Sequence, residues 1–116
     1  MKVTDEELEA LKAISAGAVA MSEGGDHFVY LPSLLLESAG RMRVVDALLG
    51  LTPMNGYTTR LFLSESVTER QTIGGRSGNW TTHMLFGRNW HTWSWQGVPR
   101  SQAAIQVLRE HMEALK

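Results

Sequence analysis

The alternation of apolar and polar positions divides the chain into segments of different period. In the first, Leu8, Leu11, Ile14, Ala18 and Met21 recur at spacings of three and four, the period of one helix face. Thr4 and Glu7 stand at the spacing of a capping box, and Val3 with Leu8 can staple the same start. The pattern predicts a helix that opens at Thr4 and stops at the Gly24-Gly25 pair. His27 to Leu36 predicts a strand in which Pro32 argues for an edge or a bulge, because proline donates nothing to a ladder. Arg43 to Leu51 is apolar and short, and its periodicity suits strand or helix equally. Pro53-Met54-Asn55-Gly56 predicts a turn. Tyr57 to Leu63 predicts a strand with Tyr57, Thr59, Leu61 and Leu63 on one face and Thr58, Arg60 and Phe62 on the other.

Residues 64–79 are polar and contain Gly74, Gly75 and Gly78, which predicts a flexible loop. Trp80 to Phe86 and Trp90 to Trp95 predict the arms of a hairpin turning at Gly87-Arg88-Asn89. Pro99 suits the first turn of a closing helix. Its buried stripe would be Ile105, Leu108, Met112 and Leu115, with His111 on the solvated flank. The order is helix, antiparallel β-meander, helix, which predicts one α+β domain over residues 1–116.

Composition narrows the function classes. The chain is 43% hydrophobic and 20% charged, the balance of a globular protein. Eleven basic against twelve acidic residues give a net charge of −1, which argues against a dedicated duplex DNA binder. Local pairs such as Arg41 with Arg43 and Arg70 with Arg76 leave room for a basic patch. The absence of cysteine excludes a disulfide, a thiolate zinc site and a thiol nucleophile. The N-terminus carries no apolar signal core, and no apolar run approaches the roughly 20 residues of a membrane-spanning helix. The expectation is a cytoplasmic protein with no membrane partner.

Chemistry-bearing side chains concentrate from Asn79 to Trp95, which holds all four tryptophans and two of the four histidines. A histidine there could take the proton of a hydroxyl on Thr81, Thr82 or Ser94, a poor nucleophile until a base activates it. The same residue types also suit a tryptophan-rich sheet face with Thr, Ser and His as polar edges. Register matters to the choice, because partners must share a face. A two-residue turn at Arg88-Asn89 sets His83 opposite Ser94, whereas a three-residue turn sets His83 opposite Trp93 and Leu85 opposite His91. A metal site from His83 and His91, with His27 or Glu65, matches no zinc spacing. Gly-Gly-Arg-Ser-Gly at 74–78 lacks the Gly-Lys-Ser/Thr ending of a phosphate loop. Arg88 and Arg100 near aromatics could stack single-stranded bases, a minority reading. No metal and no cofactor are expected.

Val45-Asp46-Ala47-Leu48-Leu49-Gly50-Leu51-Thr52-Pro53, then Gly56-Tyr57 and Leu61-Phe62-Leu63, resembles the middle of bacterial ubiquitin-conjugating-enzyme-like domains. Trp80-Thr81-Thr82-His83 is similar to the Trp-Ser-x-His of one prokaryotic branch, and Trp95-Gln96-Gly97-Val98 resembles its Trp-x-Pro-Gly-Val. The resemblance covers roughly residues 27–115. It implies the conjugating-enzyme-like fold and a set of partners. These are a ubiquitin-like protein, an ATP-dependent activating enzyme and often a metal-dependent deconjugating peptidase.

Two departures bear on the chemistry. The proline after Gly56-Tyr57 is missing, and the cysteine that carries the usual thioester is absent. Three accounts fit. The modifier rides as an oxyester on Thr81, Thr82 or Ser94, with His83 or His91 as base. Alternatively, the domain only docks an activating enzyme or ubiquitin-like partner through its tryptophan face. Finally, another residue stands here where a catalytic cysteine has been replaced.

Overall fold

The computed structural model describes residues 3–38, 40–54, 56–66, 72–73, 76–77, 80–93 and 98–115. In chain order the elements are α1 (Asp5–Lys12), β1 (Val19–Glu23), β2 (Asp26–Ser38), β3 (Arg41–Gly50), β4 (Arg60–Leu63), β5 (Thr72–Ile73), β6 (Arg76–Ser77), β7 (Trp80–Leu85), β8 (Arg88–Trp93) and α2 (Ala104–Ala114). Six strands form one antiparallel sheet in the order β1-β2-β3-β4-β8-β7, and β5 pairs with β6 as a separate hairpin. The α+β class and the helix–meander–helix order are therefore present.

The first helix is shorter than its periodicity predicts. The capping box forms as expected, with Thr4 Oγ1 accepting from Glu7 N at 3.1 Å and Glu7 Oε1 accepting from Thr4 N at 3.0 Å. The helix nevertheless ends at Lys12, and residues 19–23 are a strand. Two contacts explain the break. Ser15 Oγ donates to the Pro32 carbonyl at 2.7 Å, and a Cβ on Gly17 would stand 2.8 Å from Pro32 Cγ. Gly24 and Gly25, at φ +59° and +86°, form the tight turn between β1 and β2 rather than a helix stop. Strand pairing thus overrides a helical spacing that Ala18 and Met21 satisfied by coincidence.

Pro32 marks a bulge. The β2–β3 register slips between Leu31 and Leu34, and Ser33 takes φ +53°. The extra residue reverses the parity of side-chain direction, so that Val29, Leu31, Leu34 and Leu36 all join one core. The ambiguous run 43–51 falls in β3 and leads out of it. The turn before β4 is a two-residue loop in which Met54 and Tyr57 exchange both backbone hydrogen bonds at 2.9 Å, with Gly56 at φ +83°. β4 begins only at Arg60. Within the predicted loop 64–79, β5 pairs with β6, and Gly74, Gly75 and Gly78 lie outside the described residues.

Two apolar clusters lie on opposite faces of the sheet. Leu11 of α1 and Ala104, Val107, Leu108, Ala114 with Leu115 of α2 cover the first, which holds Leu49, Leu61, Leu63 and Trp93. Phe28, Leu48, Phe62 and Trp90 form the second, edged by Tyr30, Met54, Leu85 and Phe86. The sheet curls over this second face. The Glu23 carboxylate at the end of β1 accepts from Phe86 N at 3.2 Å, and the Phe86 ring meets Phe28 edge-on at 5.4 Å.

One carboxylate joins the two helices. The last helix starts at Ala104, five residues after Pro99, and its N-cap Ala103 offers no side-chain acceptor. Glu7 supplies one instead, with Oε2 accepting from Ala104 N at 2.7 Å. The Arg100 guanidinium grips the same carboxylate at 2.9 and 3.0 Å. Burial pushes the Glu7 pKa upward. The hydrogen bonds from Arg100, Thr4 and Ala104, with the charge of Arg100, outweigh it and bring the value down from 4.5 to about 2.

A folded-state pKa below the unfolded one means that the unfolded chain binds the extra proton. Stability from Glu7 is complete above pH 4.5 and fades as pH falls toward about 2. Glu7→Gln should cost about 2 kcal/mol at neutral pH, the loss of charge-assisted hydrogen bonds. Denaturant midpoints followed from neutral pH down to that range check both points: the variant should lose less stability than wild type below pH 4.5.

Candidate functional site

The hydroxyl–histidine pairs lie on the β7–β8 hairpin. Its turn is Phe86-Gly87, with φ +52° and +70°, rather than the Gly87-Arg88-Asn89 segment that the sequence favoured. Two consecutive positive φ values suit the twist of a two-residue hairpin, and Gly at the second position eases it. Leu85 consequently pairs with Arg88, His83 with Trp90, Thr82 with His91, and Thr81 with Thr92. Both anticipated registers are replaced: His83 faces neither Ser94 nor Trp93, and Leu85 does not face His91.

The new register makes two hydroxyl–imidazole pairs on opposite faces. Thr81 Oγ1 lies 3.0 Å from His83 Nε2, two residues along the same strand. Thr82 Oγ1 lies 3.1 Å from His91 Nδ1 across the ladder. Both hydroxyls are exposed, whereas the His83 ring is half-buried with its plane edge-on to Phe62 at 5.7 Å. Burial lowers the His83 pKa, and the positive charge of Arg60 lowers it further. His83 is therefore neutral near pH 7 and has a lone pair to accept a proton. Among the described residues no carboxylate is hydrogen-bonded to either histidine. Ser94, the third candidate nucleophile, lies outside the described residues, as do Trp95, Gln96 and Gly97.

Among the described residues, Trp80, Trp90 and Trp93 do not form an exposed docking face, and Trp95 lies outside them. Trp90 and Trp93 are 2% and 1% exposed, and Trp80 packs on Trp93 at 5.4 Å. Trp90 Nε1 donates to the Leu85 carbonyl at 3.1 Å. The exposed large apolar side chains include instead Leu35, Met42 and Val44 of the β2–β3 ribbon and Met84 of β7. His83 and His91 point to opposite sides of the sheet, and no three His, Asp or Glu side chains gather among the described residues. Arg88 lies over Trp90 at 4.7 Å but pairs with Asp46 at 3.2 Å, and Arg100 is held by Glu7. No described helix is long and apolar enough to cross a membrane.

Two charged or titratable residues escaped the sequence pattern. Arg60 is 5% exposed, with its guanidinium 4.1 Å from the Tyr57 ring centre, 5.9 Å from that of Phe62, and its Nε unpartnered. Alternation placed Arg60 on a face without indicating that this face is buried. His111, expected on the solvated flank of α2, is 1% exposed and meets Trp93 edge-on at 6.2 Å. The buried stripe of α2 runs through Ala104, Val107, Leu108, His111 and Ala114, while Ile105 and Met112 are only half-buried.

Hydrogen-bond accounting assigns the His111 tautomer. The Thr59 hydroxyl has one proton and donates it to the Val98 carbonyl at 2.8 Å. His111 Nε2, 3.0 Å from Thr59 Oγ1, must therefore carry the imidazole proton, which leaves Nδ1 bare and without a partner. Burial brings its pKa from 6.5 down to about 4, with the charge of Arg60 adding to the effect.

Because the folded value lies below the unfolded one, stability from neutral His111 is complete above pH 6.5 and is lost as pH falls toward about 4. The loss approaches about 3 kcal/mol, since each tenfold change in proton affinity is worth roughly 1.4 kcal/mol. Urea unfolding at steps across that window should show the decline, and His111→Phe should flatten it. An undiminished slope in His111→Phe would assign the acid sensitivity to another group.

Compared with known proteins, the chain matches no family model, no curated protein and no solved structure.

Proposed function

We propose that this domain is a conjugating-enzyme-like component of a bacterial ubiquitin-like modification system, carrying the modifier as an oxyester on Thr81. The observation that supports it is the 3.0 Å contact between the exposed Thr81 hydroxyl and His83 Nε2. In the tautomer with the proton on Nδ1, Nε2 accepts from the hydroxyl. Thr81 Oγ1 attacks the modifier's C-terminal carbonyl as His83 takes the proton. The bond between that carbon and the activating enzyme's thiol sulfur breaks, and the proton passes to the departing thiolate. Thr81 is preferred to Thr82 because the His83 ring is seated against Phe62 and held neutral by burial and by Arg60. The ATP-dependent activating enzyme supplies the energy of the acyl bond. The sequence resemblance supplies the identity of these partners.

A second reading, a domain that docks an activating enzyme or ubiquitin-like partner without chemistry, draws on the exposed Leu35, Met42 and Val44. Leu35 and Val44 are direct cross-strand neighbours, so their side chains share one patch.

Intact mass of the chain mixed with a ubiquitin-like protein, its activating enzyme and ATP separates the two. An adduct that hydroxylamine cleaves, absent in Thr81→Ala and retained in Thr82→Ala, is expected. His83→Ala should slow loading by about 100-fold, the usual contribution of a general base. A stable complex on a sizing column with no adduct would replace the acyl carrier with the docking module.

A further inference from the structure

The curl that brings the two hairpin ends together leaves a cavity between them. Its volume is about 180 Å³, and it is lined by Met21 of β1, Tyr30 of β2, Leu48 of β3, and Phe86, Arg88 and Trp90 of the β7–β8 hairpin. Leu48 and Trp90 are buried, Met21, Tyr30 and Phe86 are half-buried, and Arg88 is exposed. Folded interiors leave few voids larger than a water molecule, so a recess of this size beside a packed aromatic cluster has room for another group.

One wall is held at a cost. Phe86 takes φ +52° in its turn, a region that is unusual for a bulky side chain. Such a conformation costs roughly 1 to 3 kcal/mol, whereas asparagine or glycine takes it with ease. The ring gained there meets Phe28 edge-on at 5.4 Å and closes one side of the cavity.

Size, shape and charge select the guest. An apolar cavity of about 150 Å³ is enough to hold benzene, so the space here suits one ring with a small substituent. Tyr30 and Trp90 already stand edge to face at 6.2 Å, the arrangement that a further ring can extend. Three aromatic walls also suit a quaternary ammonium group, but the charges oppose that guest. The Arg88 guanidinium lies over Trp90 at 4.7 Å and would repel a second cation. An anion gains little either, because Asp46 pairs with Arg88 at 3.2 Å.

We infer that this cavity is a binding site for a single uncharged aromatic ring, held by Tyr30, Phe86 and Trp90. The inference goes beyond the chemistry proposed at Thr81 and requires no reaction there.

The test uses the full chain and p-cresol as the probe, with phenyltrimethylammonium and benzoate as charged controls, followed by NMR of the Trp90 indole N–H and Met21 methyl signals. The expected result is a saturable shift of both signals with p-cresol. Either charged probe should bind at least roughly tenfold more weakly, since its charge loses water without gaining a partner. Met21→Trp fills the cavity from β1, and Phe86→Asn removes a wall while easing the turn. Each should weaken p-cresol binding by at least roughly tenfold, read at Trp90. Met84→Ala, on the other face of the sheet, should leave it unchanged. No saturable shift, undiminished binding in Met21→Trp, or tighter binding of a charged probe would overturn the assignment. If Phe86→Asn does not fold, Met21→Trp and the comparison of probes on the wild-type chain decide. N-acetyltyrosinamide then separates two sources of the ring, and both outcomes retain the site. Tighter binding than p-cresol identifies an aromatic side chain of a polypeptide, and weaker binding identifies a free small aromatic compound.

Discussion

Among the described residues no helix covers the apolar cluster of Phe28, Leu48, Phe62 and Trp90, because α1 and α2 lie on the other face of the sheet. Burying each of these side chains contributes about 2 to 3 kcal/mol, so leaving that face open to water would remove much of a marginal stability. The sheet meets the constraint by curling until its two hairpin ends touch. Glu23 holds the Phe86 amide, Phe28 meets Phe86, and Tyr30 meets Trp90 edge-on at 6.2 Å. The bulge at Pro32-Ser33 lets the long β2 strand keep its apolar residues on the helix side while bending. Positive φ at Gly24, Gly25, Phe86 and Gly87 makes the two turns tight enough for the contact.

The same curl creates the electrostatics of the candidate site. It takes Arg60 out of water without bringing it a counter-ion among the described residues, and it places His83 within reach of that charge. On the helix side, His111 feels Arg60 as well and loses basicity to burial. The charge of Arg60 thus adds to burial in keeping two imidazoles neutral. The opposite solution stands at the helix junction, where Glu7, Arg100 and two backbone amides satisfy one another. That junction is a structural joint between the two helices.

Thr81 and Thr82 illustrate how closely a side chain's surroundings depend on register. Adjacent hydroxyls on one strand point to opposite faces, and each finds a histidine, yet only the Thr81 partner lies against the buried aromatic cluster beside Arg60. A slip of one residue would exchange the two environments.

Local signals were legible wherever the cause is local. The capping box at Thr4 and Glu7, the turn at Gly56, the bulge at Pro32 and the α+β order all follow from short-range sterics and hydrogen bonding. Thr81, Thr82, His83 and His91 could be named from their residue types, since hydroxyls and imidazoles carry their chemistry in the side chain. Pairing was not legible, because the turn at Phe86 rather than at Arg88 depends on which register buries Trp90 and Trp93 together. The helical period through Ala18 and Met21 failed for the same reason: β1 is stabilised by β2, a partner that no local window contains. Burial of Arg60 and His111 was equally a tertiary decision, made by the curl of the sheet and the rotation of α2. The chain by itself determined which groups could react; their neighbours, charge states and exposure arose only when distant strands met, because dielectric and proximity belong to the packed molecule and not to the residue.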